Sequence, residues 1–249
     1  CDHQQNRTLL PVQFFTEAGA AIGKAVDVDA LINRASHVSS VRISEFEYKP
    51  VNRRCRIAVS DDSCFNLCFQ DNLDLLRYFG AELVSFSPLA DGAVPRKAGA
   101  VYLTGAYLSE YAQDLAANQS MKRSLREFAK AGGVIYSEGS GSAYLCREFR
   151  CGPGSPAVEG AGVLEGSAEA VGYKLNYREV STVEETVLGR EGLVCKGILT
   201  ENWNFREDAG IPRVFRVTQS GSAASTEGFS PGAQVISTFG YNHFGSCPS

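Results

Sequence analysis

The sequence predicts an α/β fold, a mixed and mainly parallel sheet with helices on both faces. Two observations carry this. From Cys55 to about residue 136, short apolar runs alternate with segments of helical periodicity. Strands joined through helices in this way pair parallel, and the helices cover the sheet on both sides. The second observation is the stretch 132–145, GGVIYSEGSGSAYL. Here the apolar run Val134-Ile135-Tyr136 turns through small residues into a helix-like Ala143-Tyr144-Leu145. Turns of this kind lie at the carboxyl ends of strands, where open α/β sheets place their sites.

Taken in order, residues 1–54 read as an appendage and 55–249 as the main domain. Leu9-Leu10-Pro11-Val12 reads as a short strand. Residues 16–35 carry Ala, Ile, Val and Leu at helical spacing, with Asp27 or Asp29 placed to accept from the free N–H groups of a helix start. Residues 39–50 are polar and extended, a linker. Arg56-Ile57-Ala58-Val59 then opens the sheet. Residues 72–79 form a helix with Leu73, Leu76 and Phe79 on one face and Gly80 at its C-cap. Strands follow at 82–86 and 100–103, then the Gly105-Ala106 turn, helices over 109–118 and 121–131, and a fourth strand at 133–136. Past Cys151 the chain turns Gly- and Ser-rich. Residues 152–156 form a loop, 192–199, 214–218 and 234–239 read as mostly antiparallel strands, and 220–226 is a flexible loop.

Composition narrows the function classes. With 44% apolar and 21% charged residues in 249, the chain is globular. A net charge of −4 without any Lys/Arg run argues against a nucleic-acid surface. No apolar run reaches the roughly 18 residues of a membrane span, and no signal peptide is visible. The first residue is Cys1 and the single methionine is Met121, so Cys1 is either a processing site or a boundary of the given sequence, and an upstream segment is one of the readings left open. A processed N-terminus suits an organellar import product, and a plastid is the expected location. The eight cysteines form no CxxC pair, and only His3, His37 and His243 accompany them. No metal site or cofactor is expected; most thiols are read as free and buried, with one or two disulfides allowed.

The stretch 132–145 has the form of a nucleophile elbow, in which a Ser or Cys sits at a strained apex within reach of a base and of backbone N–H groups. Here the apex residue is Gly139, which has no side chain. Ser140 is adjacent, but the next residue round a tight elbow points elsewhere. Glu138 reads as a structural hydrogen-bond acceptor behind the elbow, Cys146 as a buried core residue and His243 as a packed residue of the site. The alternative is an ordinary Gly-rich strand-to-helix loop.

Several segments together resemble the cobyrinic acid a,c-diamide synthase family, whose members join a synthetase domain to a class I glutamine amidotransferase-like domain. The run 72–76 (NLDLL) followed by 80–91 (GAELVSFSPLAD) is similar to the family almost residue for residue. Leu103-Thr104-Gly105-Ala106-Tyr107 stands where the family has LPGGY, residues 115–121 match LAANxxM, and Ser137-Glu138-Gly139-Ser140-Gly141 stands where it has AECGG. Residues 7–36 resemble the tail of the synthetase domain. The resemblance implies a class I glutaminase-like, flavodoxin-like three-layer sandwich, with Gly105 and Ala106 as the remnant of an oxyanion pocket. It also locates losses. The family's nucleophilic cysteine corresponds to Gly139. Its GHEFH segment corresponds to Gly197-Ile198-Leu199-Thr200-Glu201. Aligned on Phe244, its catalytic histidine corresponds to Tyr241, and His243 matches a second, non-catalytic one; a one-residue shift would put His243 in the base position.

No catalytic residue is therefore expected, and the leading reading is a pseudoenzyme. It would be a glutaminase-like domain kept as a structural, assembly or regulatory subunit, bound to other protein chains through residues 1–54. Two readings stay open beside it: the glutaminase half of a diamide synthase in cobalamin biosynthesis, and a small-molecule binding module using the old glutamine pocket. In the leading reading Leu108, Tyr241 and Leu199 are expected to fill the cleft beside Gly139.

Overall fold

The computed structural model describes residues 11–37, 52, 55–208, 210–219 and 223–246. The expected strand at Leu9-Leu10, the linker at 39–50, His3, Cys1 and Cys247 lie outside the described residues. The chain divides into two units between Tyr48 and Lys49.

The first unit contains α1 (Val12–Ala25) and α2 (Val28–Ser36). Val12 opens a helix rather than closing a strand, because Pro11 presents an extended backbone and Ala, Glu and Gln carry helical propensity after it. The helical stretch breaks at Asp27, whose carboxylate accepts from Ala30 N at 2.9 Å and starts α2.

The second unit runs β1 (Cys55–Ser60), β2 (Phe65–Leu67), α3 (Gln70–Tyr78), β3 (Ala81–Phe86), β4 (Ala100–Leu103), β5 (Gly105–Ala106), α4 (Leu108–Ala117), α5 (Gln119–Lys130), β6 (Val134–Glu138) and α6 (Ser140–Leu145). It continues through β7 (Cys146–Arg150), β8 (Val158–Glu159), β9 (Leu164–Thr182), β10 (Val194–Glu207), β11 (Arg213–Gln219), β12 (Ser225–Gly232), β13 (Val235–Thr238) and β14 (Tyr241–His243). Across the main sheet the order is β14-β10-β9-β11-β12-β13-β6-β4-β1-β3. The strands from β13 to β3 pair parallel, and those from β14 to β13 pair antiparallel. Each face has its own core. Leu103, Leu115, Leu125, Ile135 and Tyr144 pack on the face of α4, α5 and α6. Val59, Tyr102, Tyr136, Val180 and Phe215 pack on the other, with Leu73 and Leu76 of α3 over them. The fold is thus an α/β sandwich of three layers. Among the described residues, no helix is long and apolar enough to cross a membrane.

Four further features differ from the sequence reading. The strand β9 covers 164–182, where no strand was expected, and β12 begins at Ser225, inside the expected loop. Gly105-Ala106 is a short strand rather than a turn, paired to Phe65 and Leu67. The helix after the elbow lasts only six residues, and Cys146 starts β7.

Candidate functional site

The apex of the elbow is built by β6 and α6. Gly139 adopts φ 55° and ψ −133°, a region open to glycine and strained for other residues. It lets β6 enter α6 without an intervening loop. Gly141, the second residue of α6, lies so close to the end of β4 that a Cβ there would overlap the Thr104 carbonyl oxygen. The backbone therefore turns as a strained elbow does, with glycine at its apex.

Tyr241 takes up the space. It begins β14, which pairs Ile198 of β10 with Tyr241 and Gly197 with Asn242. A Cβ placed at Gly139 would overlap the Tyr241 hydroxyl and ring, and so would one placed at Gly105; the nearest atoms to either position all belong to Tyr241. Tyr241 is 3% exposed. Of the three side chains expected to fill the cleft, Tyr241 is the one that meets both glycines. Leu108 is buried in the core under α4, and Leu199 lines a cleft with Arg178 and Trp203.

The remaining candidates are held by other partners. Ser140 Oγ donates to Ala106 O at 2.6 Å and accepts from Ala106 N at 2.7 Å. The hydroxyl is thereby engaged, and the Ala106 N–H expected to face an oxyanion points into this pair instead. His243 Nε2 lies 3.0 Å from Asp71 Oδ2, and its ring meets Phe69 edge-on. Tyr241, not His243, stands against Gly139. Cys146 is fully buried, its Sγ donating to Ser142 O at 3.4 Å, and burial pushes its thiol far above the ordinary range. Burial does the same to Cys64. Neither forms a thiolate nucleophile near neutral pH. Among the described residues, Cys55, Cys64, Cys68, Cys146, Cys151 and Cys195 are free of disulfides.

Behind the elbow lies a buried polar network that no sequence motif announced. Glu138 is fully buried and accepts from Tyr102 Oη (2.6 Å), Tyr136 Oη (2.7 Å) and Asn242 N (2.8 Å). Asn242 Nδ2 donates to Tyr136 Oη at 3.0 Å, and Asn242 Oδ1 accepts from Arg178 Nη2 at 3.0 Å. Arg178 also donates to Thr238 Oγ1 and pairs with Glu227. Loss of hydration raises the Glu138 carboxyl above its ordinary value, against the pull of the three donors and of Arg178. The same burial, and then the Glu138 charge, raises both tyrosines, which keeps their hydroxyls protonated and donating. The arrangement fixes β14 against β6 and so sets the position of Tyr241. Glu138 takes the acceptor role read from its place behind the apex, but Asn242, Arg178 and Glu227 come from far along the chain and carry no local signal.

Comparison with known proteins agrees with this architecture. Residues 56–198, more than half of the chain, match the CobB/CobQ-like glutamine amidotransferase domain. A cobyrinate a,c-diamide synthase of Picrophilus torridus is 33% identical over 178 residues, which is 71% of this chain and 40% of that protein. Another from Dehalococcoides mccartyi is 27% identical over 243 residues, 94% of this chain and 52% of that one. The chain spans about half the length of these relatives or less. Among solved structures, PurLQS from Thermotoga maritima superposes with a TM-score of 0.54 at 15% identity, covering 76% of this chain and 87% of that one, a likeness of fold. By the match across its parallel half and the elbow within it, the chain belongs to the CobB/CobQ-like glutamine amidotransferase family.

Proposed function

We propose that this chain is a catalytically inactive glutaminase-like domain, a pseudoenzyme that serves as a structural, assembly or regulatory subunit of a larger protein complex. The observation that carries the reading is the Tyr241 side chain packed against Gly139 and Gly105. Glutamine hydrolysis needs a thiolate, a base beside it and N–H donors for the oxyanion. At the apex there is no side chain, at the base position a phenol, and the Ala106 N–H donates to Ser140. A partner role is supported by apolar side chains left in water. Val12, Leu31 and Ile32 in the first unit are exposed, as are Val171, Tyr173, Leu175 and Tyr177 of β9. Exposed apolar side chains gathered in one segment mark protein interfaces. In this reading residues 1–54 act as an appendage that recruits the partner chains.

The test is ammonia release from glutamine by the purified chain. No turnover above background is expected, and Gly139→Cys alone is expected to restore none. A second reading rests on the relatives, which are named cobyrinate a,c-diamide synthases. It makes this chain the glutaminase half of such an enzyme. Turnover within tenfold of an ordinary enzyme, about 1 to 10³ per second, would establish that reading and remove the first. The third, a binding module reusing the glutamine pocket, needs room beside Gly139, where the Tyr241 ring now packs.

A further inference from the structure

We infer that the sheet face opposite α4 and α5 carries a binding site for a small, uncharged, apolar molecule, distinct from the elbow. A cavity of about 370 Å³ opens beneath the connection 183–193 between β9 and β10. Its lip is formed by Val187 and Leu188, 37% and 38% exposed, and its floor by Val180, Tyr136 and Asn242, at 2%, 6% and 3%. The cavity therefore runs inward from the surface to the buried core. That is the shape of a small-molecule site and not of a flat surface for a protein partner.

The hydrogen bonds decide what that occupant is. Tyr136 Oη donates to Glu138 and accepts from Asn242, whose own amide oxygen accepts from Arg178. Thr182 Oγ1 donates to Arg190 O at 2.7 Å and accepts from Leu193 N at 2.9 Å. The polar groups at the floor and side are thus already engaged with the protein. A polar ligand would leave its water bonds here without replacement, whereas an apolar one would exchange water for the walls of Leu76, Leu193, Phe215 and Phe244. Charge narrows the class further. The connection carries exposed Glu184, Glu185 and Glu191 against Arg190 alone, which disfavours a carboxylate or phosphate head at the mouth. An apolar cavity of roughly 150 Å³ holds a single benzene ring. The present one has room for a neutral molecule of two fused or linked rings, or a short terpenoid-like chain.

The test uses the full chain and N-phenyl-1-naphthylamine, an uncharged dye that brightens when it leaves water. Saturable binding at one site per chain is expected, and its anionic relative 1-anilinonaphthalene-8-sulfonate should bind at least tenfold more weakly. Two substitutions act on the site by different routes. Cys195→Trp places bulk in the cavity and Leu188→Glu adds a charge at its lip. Both should weaken the uncharged dye tenfold or more, with urea unfolding showing that each variant remains folded. Leu188 is exposed enough to be changed without loss of the fold, so that variant decides the matter if Cys195→Trp is unstable. Absent or non-saturating binding, binding unaffected by Leu188→Glu, or equal affinity for the anionic dye would overturn the proposal. None of these readouts depends on glutamine hydrolysis.

Discussion

Gly139 and Tyr241 occupy what is one site, and each makes sense of the other. With φ at 55°, a side chain at position 139 would be strained even in open space, and the space is filled by a phenol. Gly139→Ala is expected to destabilise the fold by about 2–5 kcal/mol, the sum of backbone strain and overpacking. Removing the ring with Tyr241→Ala should cost about 3–5 kcal/mol through the cavity it leaves. The double variant should then be more stable than the two losses predict, by about 0.5–3 kcal/mol, because the alanine methyl at 139 enters the vacated space. Urea unfolding of the four proteins gives the coupling directly. Simple additivity would mean that the two residues do not compete for one volume.

At the scale of elements, β14 is three residues long, and its position depends on what grips it. Asn72 of α3 is fully buried; its Nδ2 donates to Asn242 O at 2.7 Å, and its Oδ1 accepts from Phe244 N at 2.8 Å. Asn72→Ala strands both backbone groups and should cost about 2–4 kcal/mol, with faster amide exchange at Phe244 than in β6. Unchanged exchange there would show that pairing with β10 alone holds the strand. The same element shows what could be read in advance. The βα units up to Gly139 were legible because each short strand carries an apolar run and each helix is amphipathic, so local pattern and fold agree. The elbow was legible as well, as small residues gathered at 139–142 between a strand and a helix, a pattern shared with ordinary Gly-rich loops. Beyond Cys151 this agreement fails. The long ribbon of β9 exposes Val171, Tyr173, Leu175 and Tyr177 while burying Arg178. Its pattern inverts the usual one of apolar side in, and the sequence reads as loop. The position of Tyr241 followed only from counting back from Phe244. Its overlap with both glycines depends on β14 pairing across β10, a contact no local spacing encodes.

The whole domain is joined through one buried charge cluster. Glu138 on β6, Arg178 on β9, Glu227 on β12, Thr238 on β13 and Asn242 on β14 bond one another, so the network spans the seam between the parallel and antiparallel halves. Burial raises the Glu138 carboxyl above its ordinary value of 4.5 in the folded chain. The fold therefore binds that proton more tightly than the unfolded chain does. The corresponding stability is fully present below the unfolded value and is lost as pH rises from about 4.5 through the folded value. Glu159 and Glu207 act oppositely. Hydrogen bonds, from Gln119 first and from Ile211 N first, lower their carboxyls, so their contribution fades as pH falls. Those terms are shared by wild type and Glu138→Gln and cancel in the comparison. The advantage of wild type over Glu138→Gln should be greatest at or below pH 4.5 and shrink steadily above it, as read from urea midpoints between pH 4 and 8. Parallel curves would show that the three donors and Arg178 fully offset burial, leaving Glu138 with the same proton affinity folded as unfolded. An advantage that instead grew with pH would mean that these partners outweigh burial, and that the cluster draws the two halves of the sheet together through a carboxylate held ionised.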